Sequence, residues 1–104
     1  MDKATELFVS YMKTNNDIVI SDNELAWEAV TLYQGELDHE FFPIENIEQL
    51  PDPLLFLMTS FVDQQEQEWI FCIVADNENS EKWYTAVCIL EGKLIDSEIK
   101  LDLY

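Results

Sequence analysis

Residues 69–90 read WIFCIVADNENSEKWYTAVCIL, and the fold turns on how this stretch is divided. Trp69–Ala75 and Trp83–Leu90 are β-branched and aromatic runs separated by the polar residues Asp76–Glu81, which is the pattern of two strands and a turn. Glu91–Gly92 then supplies a tight reversal, and Leu94–Leu103 follows as a third strand. In it Ile95, Ile99, Leu101 and Leu103 alternate with Asp96, Glu98, Lys100 and Asp102, the half-buried pattern of an antiparallel edge. Upstream, Asp52–Pro53 could open a helix over Leu54–Val62. Thr59, Phe61 and Val62 tip that run to a strand instead, although a short apolar run has no decisive periodicity.

Pairing follows from the turns. Centring the reversal on Glu91–Gly92 sets Leu90 opposite Lys93, Cys88 opposite Ile95 and Tyr84 opposite Ile99. A symmetric Asp76–Glu81 turn sets Cys72 opposite Thr85 and Cys88 opposite Trp69, with the two cysteines on opposite faces. One face then carries Tyr84, Ala86, Cys88 and Leu90, and the other carries Trp83, Thr85, Val87 and Ile89. The middle strands are thus apolar on both sides. The second face needs a cover: residues 54–62, a second copy of the chain, or a partner.

Nearer the N-terminus, residues 3–13 place Ala4, Leu7, Phe8 and Tyr11 on one helical face, with Glu6 and Lys13 suiting the helix dipole. Ile18–Ile20 suggests a short strand. Ser21 and Glu24 form a capping-box pattern ahead of the stripe Ala26, Ala29, Val30 and Tyr33, and Gly35 is a natural stop. This predicts a second helix over residues 22–34, against a weaker strand reading at Val30–Tyr33. Residues 36–53, acidic and punctuated by Pro43, Pro51 and Pro53, read as a long surface connection with one helical turn at Ile44, Ile47 and Leu50. The expected architecture is α+β, two N-terminal helices packed on an antiparallel β-meander of three to four strands. Its 104 residues are expected to form a single acidic domain, large enough to bury about two-thirds of the unfolded surface.

Charge is the second signal. From Thr14 to Glu81 there are sixteen carboxylates and no Lys or Arg, and this interval carries sixteen of the seventeen net negative charges. All five cations, Lys3, Lys13, Lys82, Lys93 and Lys100, lie outside it. Disorder is excluded by a hydrophobic content of 48% with thirteen aromatic residues. Solubility asks for a net charge of only about 2–8 in a small domain. The excess points to selection for a partner. Like charge repels nucleic acid and anionic membranes, so neither is an expected direct partner. No run reaches a membrane span and the N-terminus has no signal-peptide pattern. With two cysteines and no secretory signal, the expected location is the cytoplasm.

Motifs for chemistry are sparse. Glu36, Asp38 and Glu40 share a side of an extended segment with His39 between them, a donor set for a hard divalent cation, but no ligand spacing supports it. Asp76, Glu78 and Ser80 resemble the start of a calcium loop, which fails because Glu81 and Val87 stand where Gly and Glu are required. Two glycines, at 35 and 92, leave no phosphate cradle, and cysteines without nearby cations are core residues rather than nucleophiles. No catalytic residue, metal or cofactor is expected, and an enzyme is not expected.

The function expected from these features is a small acidic inhibitor that binds a basic protein. The natural targets are a nuclease-type toxin, for which this would be the immunity protein, or a nucleic-acid-binding protein blocked by a DNA mimic. The expected contact residues are Glu24, Glu28, Glu36, Asp38, Glu40, Glu45 and Glu48, with Trp27, Phe41 and Phe42 as apolar anchors. A different class is a dimeric acidic secretion chaperone or adaptor that holds an effector segment on an apolar sheet face, and a homodimer stays open on that ground.

Overall fold

The computed structural model describes residues 2–101. One helix, α1 (Lys3–Asn16), precedes an antiparallel sheet of β1 (Glu28–Leu32), β2 (Leu54–Val62), β3 (Glu68–Asp76), β4 (Trp83–Leu90) and β5 (Lys93–Asp96), ordered as in the sequence. The class is α+β, with one helix where two were expected and five strands where three or four were.

Helix α1 forms because Leu7, Phe8, Tyr11 and Met12 make one buried stripe. Asp2 caps its start, accepting the Thr5 N–H at 2.8 Å. At its end Asp17 turns left-handed (φ 55°) and the Ile18 N–H donates back to Met12 O at 3.1 Å. Residues 18–20 then run irregularly rather than as a strand.

The predicted helix over 22–34 does not form. A short 3-10 turn, Asp22–Glu24, leads instead into β1. Ala26, Ala29, Val30 and Tyr33 do recur at helical spacing, but all four are exposed, so the stripe has nothing to bury against. The β-branched Val30 and Thr31 pair with β2 across the register Glu28↔Met58 to Leu32↔Leu54. Thr59 Oγ1 donates to Ala26 O at 2.9 Å and fixes the entry into the strand.

β2 is a strand, paired to β3 from Leu54↔Asp76 to Val62↔Glu68. Between β3 and β4 the register is Phe71↔Cys88 and Cys72↔Val87, two positions from the symmetric expectation. The Asp76 N–H closes on Lys82 O at 2.9 Å, and a bulge at Val74/Ala75 takes up the difference. The cysteines keep opposite faces, as expected, but the bulge turns Trp83 to the α1 side and Tyr84 to the other.

β5 pairs Leu90↔Lys93 as expected. A second bulge then sets Cys88 opposite Asp96 instead of Ile95, and the strand stops there. Ile99 leaves the sheet and is buried in the α1-side core, so it does not pair with Tyr84. Asp102 and Leu103, the end of the expected third strand, lie outside the described residues. The Glu91–Gly92 reversal has positive φ at both residues, 49° and 78°, the geometry of a two-residue hairpin turn.

The middle of the sheet, from β2 to β4, is covered on both faces. On one, α1 packs Leu7, Phe8, Tyr11 and Met12 against Trp69, Phe71, Ile73, Ala86 and Cys88. On the other, the connection between β1 and β2 supplies Leu37, Phe42, Ile44, Ile47 and Leu50 over Leu54, Phe56, Cys72, Val74 and Val87. The segment expected as a surface crossing is therefore the missing cover. Gln34 pins it: its N–H donates to Asp52 Oδ1 (2.9 Å), and its Nε2 donates to Ile47 O (2.8 Å) and Leu50 O (3.3 Å).

Candidate functional site

The loop layer that covers the second face carries Glu36, Asp38, Glu40, Glu45, Glu48 and Asp52, all exposed, and between Tyr33 and Pro53 it has no Lys or Arg. Leu37, Phe42, Ile44, Ile47 and Leu50 face the sheet, while the acids face outward. Asp38 sets up that division: its Oδ1 accepts the Glu40 N–H and its carbonyl accepts the N–H groups of Phe41 and Phe42, each at 3.0 Å. This turn directs Phe42 onto Phe56, edge-to-face at 5.3 Å between ring centres. Asn46, left-handed at φ 57°, starts the 3-10 turn Ile47–Gln49, which holds Glu48 outward.

The expected contact residues thus separate into three groups. Glu36, Asp38, Glu40, Glu45 and Glu48 all lie exposed on this layer, and Phe41 is half-buried in it. Glu24 and Glu28 are exposed before and at the start of β1, at the end of that strand away from the layer. Phe42 and Trp27 are turned inward instead. Trp27 sits on the α1 side, where its Nε1–H donates to Thr5 Oγ1 at 2.9 Å and its ring meets Phe71 edge-on at 6.5 Å. There it lines an apolar groove of about 340 Å³ with Ala4, Leu57 and Trp83. A second groove, about 350 Å³, lies between the loop layer and β4, with Glu45 and Glu98 at its walls and Tyr84 and Val87 along it.

The carboxylates are not equivalent. Several aspartates are occupied in building turns. Asp63 accepts Trp69 Nε1–H at 2.9 Å and the Gln65 and Gln67 N–H groups, and these bonds hold its pKa below the ordinary value. Asp76 is lowered likewise, first by the Glu78 N–H and further by the Tyr84 hydroxyl at 3.2 Å. Asp96 accepts Glu98 N–H and the Tyr11 hydroxyl, each at 3.0 Å. Burial pushes the Tyr11 hydroxyl well above its usual range, and Asp96 adds to it. Composition makes all acids look alike, and only the turn geometry separates builders such as Asp63 from outward glutamates such as Glu40, Glu45 and Glu48.

Gln34 and Leu37, which fasten the layer and anchor it, escaped the sequence reading because an isolated Gln or Leu in an acidic segment gives no pattern. His39 is exposed within the layer, and among the described residues no group of three or more His, Cys, Asp and Glu is placed to hold a metal ion. Burial pushes both cysteine thiols up to about 12, so neither is a thiolate near neutral pH. Among the described residues no helix is long and apolar enough to cross a membrane. What the arrangement offers chemically is a field: exposed anions on a rigid support attract a cationic surface and raise its association rate. Comparison with protein-family models, curated proteins and solved structures finds no match.

Proposed function

We propose that this chain is an acidic inhibitor that covers the functional surface of a basic protein, either a nuclease-type toxin, with this chain as its immunity protein, or a nucleic-acid-binding protein, with this chain as a DNA mimic. One observation carries the reading: six exposed carboxylates on the loop layer, inside a 68-residue interval that has no cation. The packed layer fixes the backbone that carries these carboxylates, so little main-chain order is lost when they stand where phosphates would bind. Charge would speed encounter, and half-buried Phe41 beside Glu40 would supply apolar contact at the centre.

The secretion-chaperone reading depended on an uncovered apolar sheet face. The chain's own residues 37–50 lie over that face, which favours the inhibitor reading. The test is capture of partners from the native host's lysate at low and high salt, with wild type and with the triple variant Glu40→Gln, Glu45→Gln, Glu48→Gln. The expected result is a basic protein that high salt releases and that the triple variant retains about tenfold less well, on the salt screening of exposed charge. An acidic partner, or retention indifferent to both salt and the triple change, overturns the proposal. A toxin gene immediately upstream would choose the immunity form over the DNA mimic.

A further inference from the structure

The two edges of the sheet are built differently. β5 carries the devices that keep an edge from pairing with another chain: it is four residues long, bulged against β4, charged at Lys93 and Asp96, and followed by a segment that folds back to bury Ile99. β1 shares with it only shortness, at five residues, and one charge, Glu28. Glu-Ala-Val-Thr-Leu has no Lys and no Pro, its register with β2 runs without a bulge, and its first four residues are exposed. Its outer row of backbone N–H and C=O groups is therefore a template for one more strand.

The surroundings of β1 select what that strand can be. Glu28 stands exposed at its first residue. At the other end, Glu36 Oε1 accepts the Tyr33 N–H and Asp52 Oδ1 accepts the Gln34 N–H, both at 2.9 Å, so two carboxylates are fixed just past Leu32. A second copy of the chain would bring its own seventeen net negative charges to the same edge. A cationic segment meets opposite charge at both ends.

We infer that the outer edge of β1 is a docking site for an extended, Lys- or Arg-rich segment of a partner protein, which adds to the sheet as a sixth strand. This rests on the proposed reading that the partner is basic, and it specifies how that partner is held. Main-chain hydrogen bonds give the docking its geometry, and Glu28, Glu36 and Asp52 give it its preference for cations. The missing edge protection is then a functional opening, with the charge of the chain itself guarding against self-pairing.

The test uses three synthetic peptides: one alternating Lys with Val and Thr, the same peptide with alternate backbone nitrogens methylated, and a counterpart with Glu in place of Lys. Binding is followed by amide NMR and hydrogen exchange on the whole chain. The expected result is binding of the Lys peptide, with the exchange of outward amides within 28–32 slowed about tenfold or more. Backbone methylation should weaken binding by about tenfold or more, the equivalent of one or two hydrogen bonds, and the Glu peptide should not bind. Equal binding of the methylated Lys peptide overturns the edge site while leaving the basic-partner reading intact. Equal binding of the Glu peptide overturns the cationic preference and counts against that reading as well. Protection of β1 that grows with protein concentration in the absence of peptide assigns the edge to a second copy and overturns the inference. Failure of all three peptides overturns it too, and the triple glutamine variant then judges the basic-partner reading separately.

Discussion

The sheet has two covers, and they are made by opposite means. On one face lies α1, a regular helix with a periodic stripe, a capped start and a left-handed stop. On the other lies a loop layer with two 3-10 turns, fastened by the side chains of Gln34 and Asp52. α1 contains two lysines and one glutamate, whereas the layer from Tyr33 to Pro53 contains six carboxylates and no Lys or Arg. A helix whose charges nearly balance adds little to the field and packs one face of the sheet. An acidic layer accepts self-repulsion and irregular backbone in exchange for a dense outward display of anions. The difference teaches that regular packing and acidic display are placed on opposite faces of one sheet.

The sharpest way to test that division is to truncate one aromatic ring on each side. Phe71 stacks on Phe8 at 4.6 Å and also meets Tyr11 and Trp27, and it is fully buried. Phe71→Ala should lose about 3–5 kcal/mol, enough to unfold a marginal domain of this size. Phe42 is half-buried and touches the sheet through Phe56. Phe42→Ala should lose only about 1–2 kcal/mol, with the loss confined to the loop layer. Urea titration read at equilibrium checks both. Equal losses would mean that the layer is as integral to the fold as the helix.

The two cysteines offer a second test, since each lies under a different cover: Cys72 beneath the loop layer and Cys88 on the α1 side. Burial pushes both thiols up to about 12, so a thiol reagent acts only after something opens. Labelling followed residue by residue should modify Cys72 faster than Cys88. Gln34→Ala removes the amide clamp on Ile47 and Leu50. A loss of about 1 kcal/mol should speed Cys72 labelling roughly fivefold and leave Cys88 unchanged. Parallel acceleration of both would show that the covers open as one unit.

The same contrast explains what could be read in the sequence. α1 was legible because Leu7, Phe8 and Tyr11 repeat at the helical period, and β3 and β4 were legible because β-branched and aromatic residues crowd there. β1 reads as a helix in sequence because an edge strand exposed on both sides has no alternation to display, and Ala26, Ala29, Val30 and Tyr33 recur at helical spacing by chance. The loop layer buries Leu37, Phe42, Ile44, Ile47 and Leu50 at irregular intervals set by turns at Asp38 and Asn46, and no period survives that. For the site, the glutamates were legible as charge. The direction of Phe42 and Trp27 was not, because a hydrophobic residue beside acids looks the same whether it faces a partner or its own core.

The smallest effect concerns how each cover is tied down. Asp2 caps α1 through a charged group: its carboxylate accepts the Thr5 N–H, and that bond, set against a smaller opposing effect of burial, lowers its pKa. Asp2→Ala should therefore lose about 1 kcal/mol at neutral pH. A lowered folded-state pKa means the contribution is fully present above the unfolded value of about 3.9 and is lost as pH falls through the folded one. The gap between wild type and Asp2→Ala should stay constant from neutral pH down to about 5 and close below about 4. The Gln34 amide has no proton to gain, so its bonds to Ile47 O and Leu50 O should give Gln34→Ala a gap that is nearly flat over the same range. Denaturant titrations at stepped pH measure both gaps. A gap for Asp2→Ala that persists in acid would show that the helix start is held by packing rather than by its charged cap, and the two covers would then differ in shape alone.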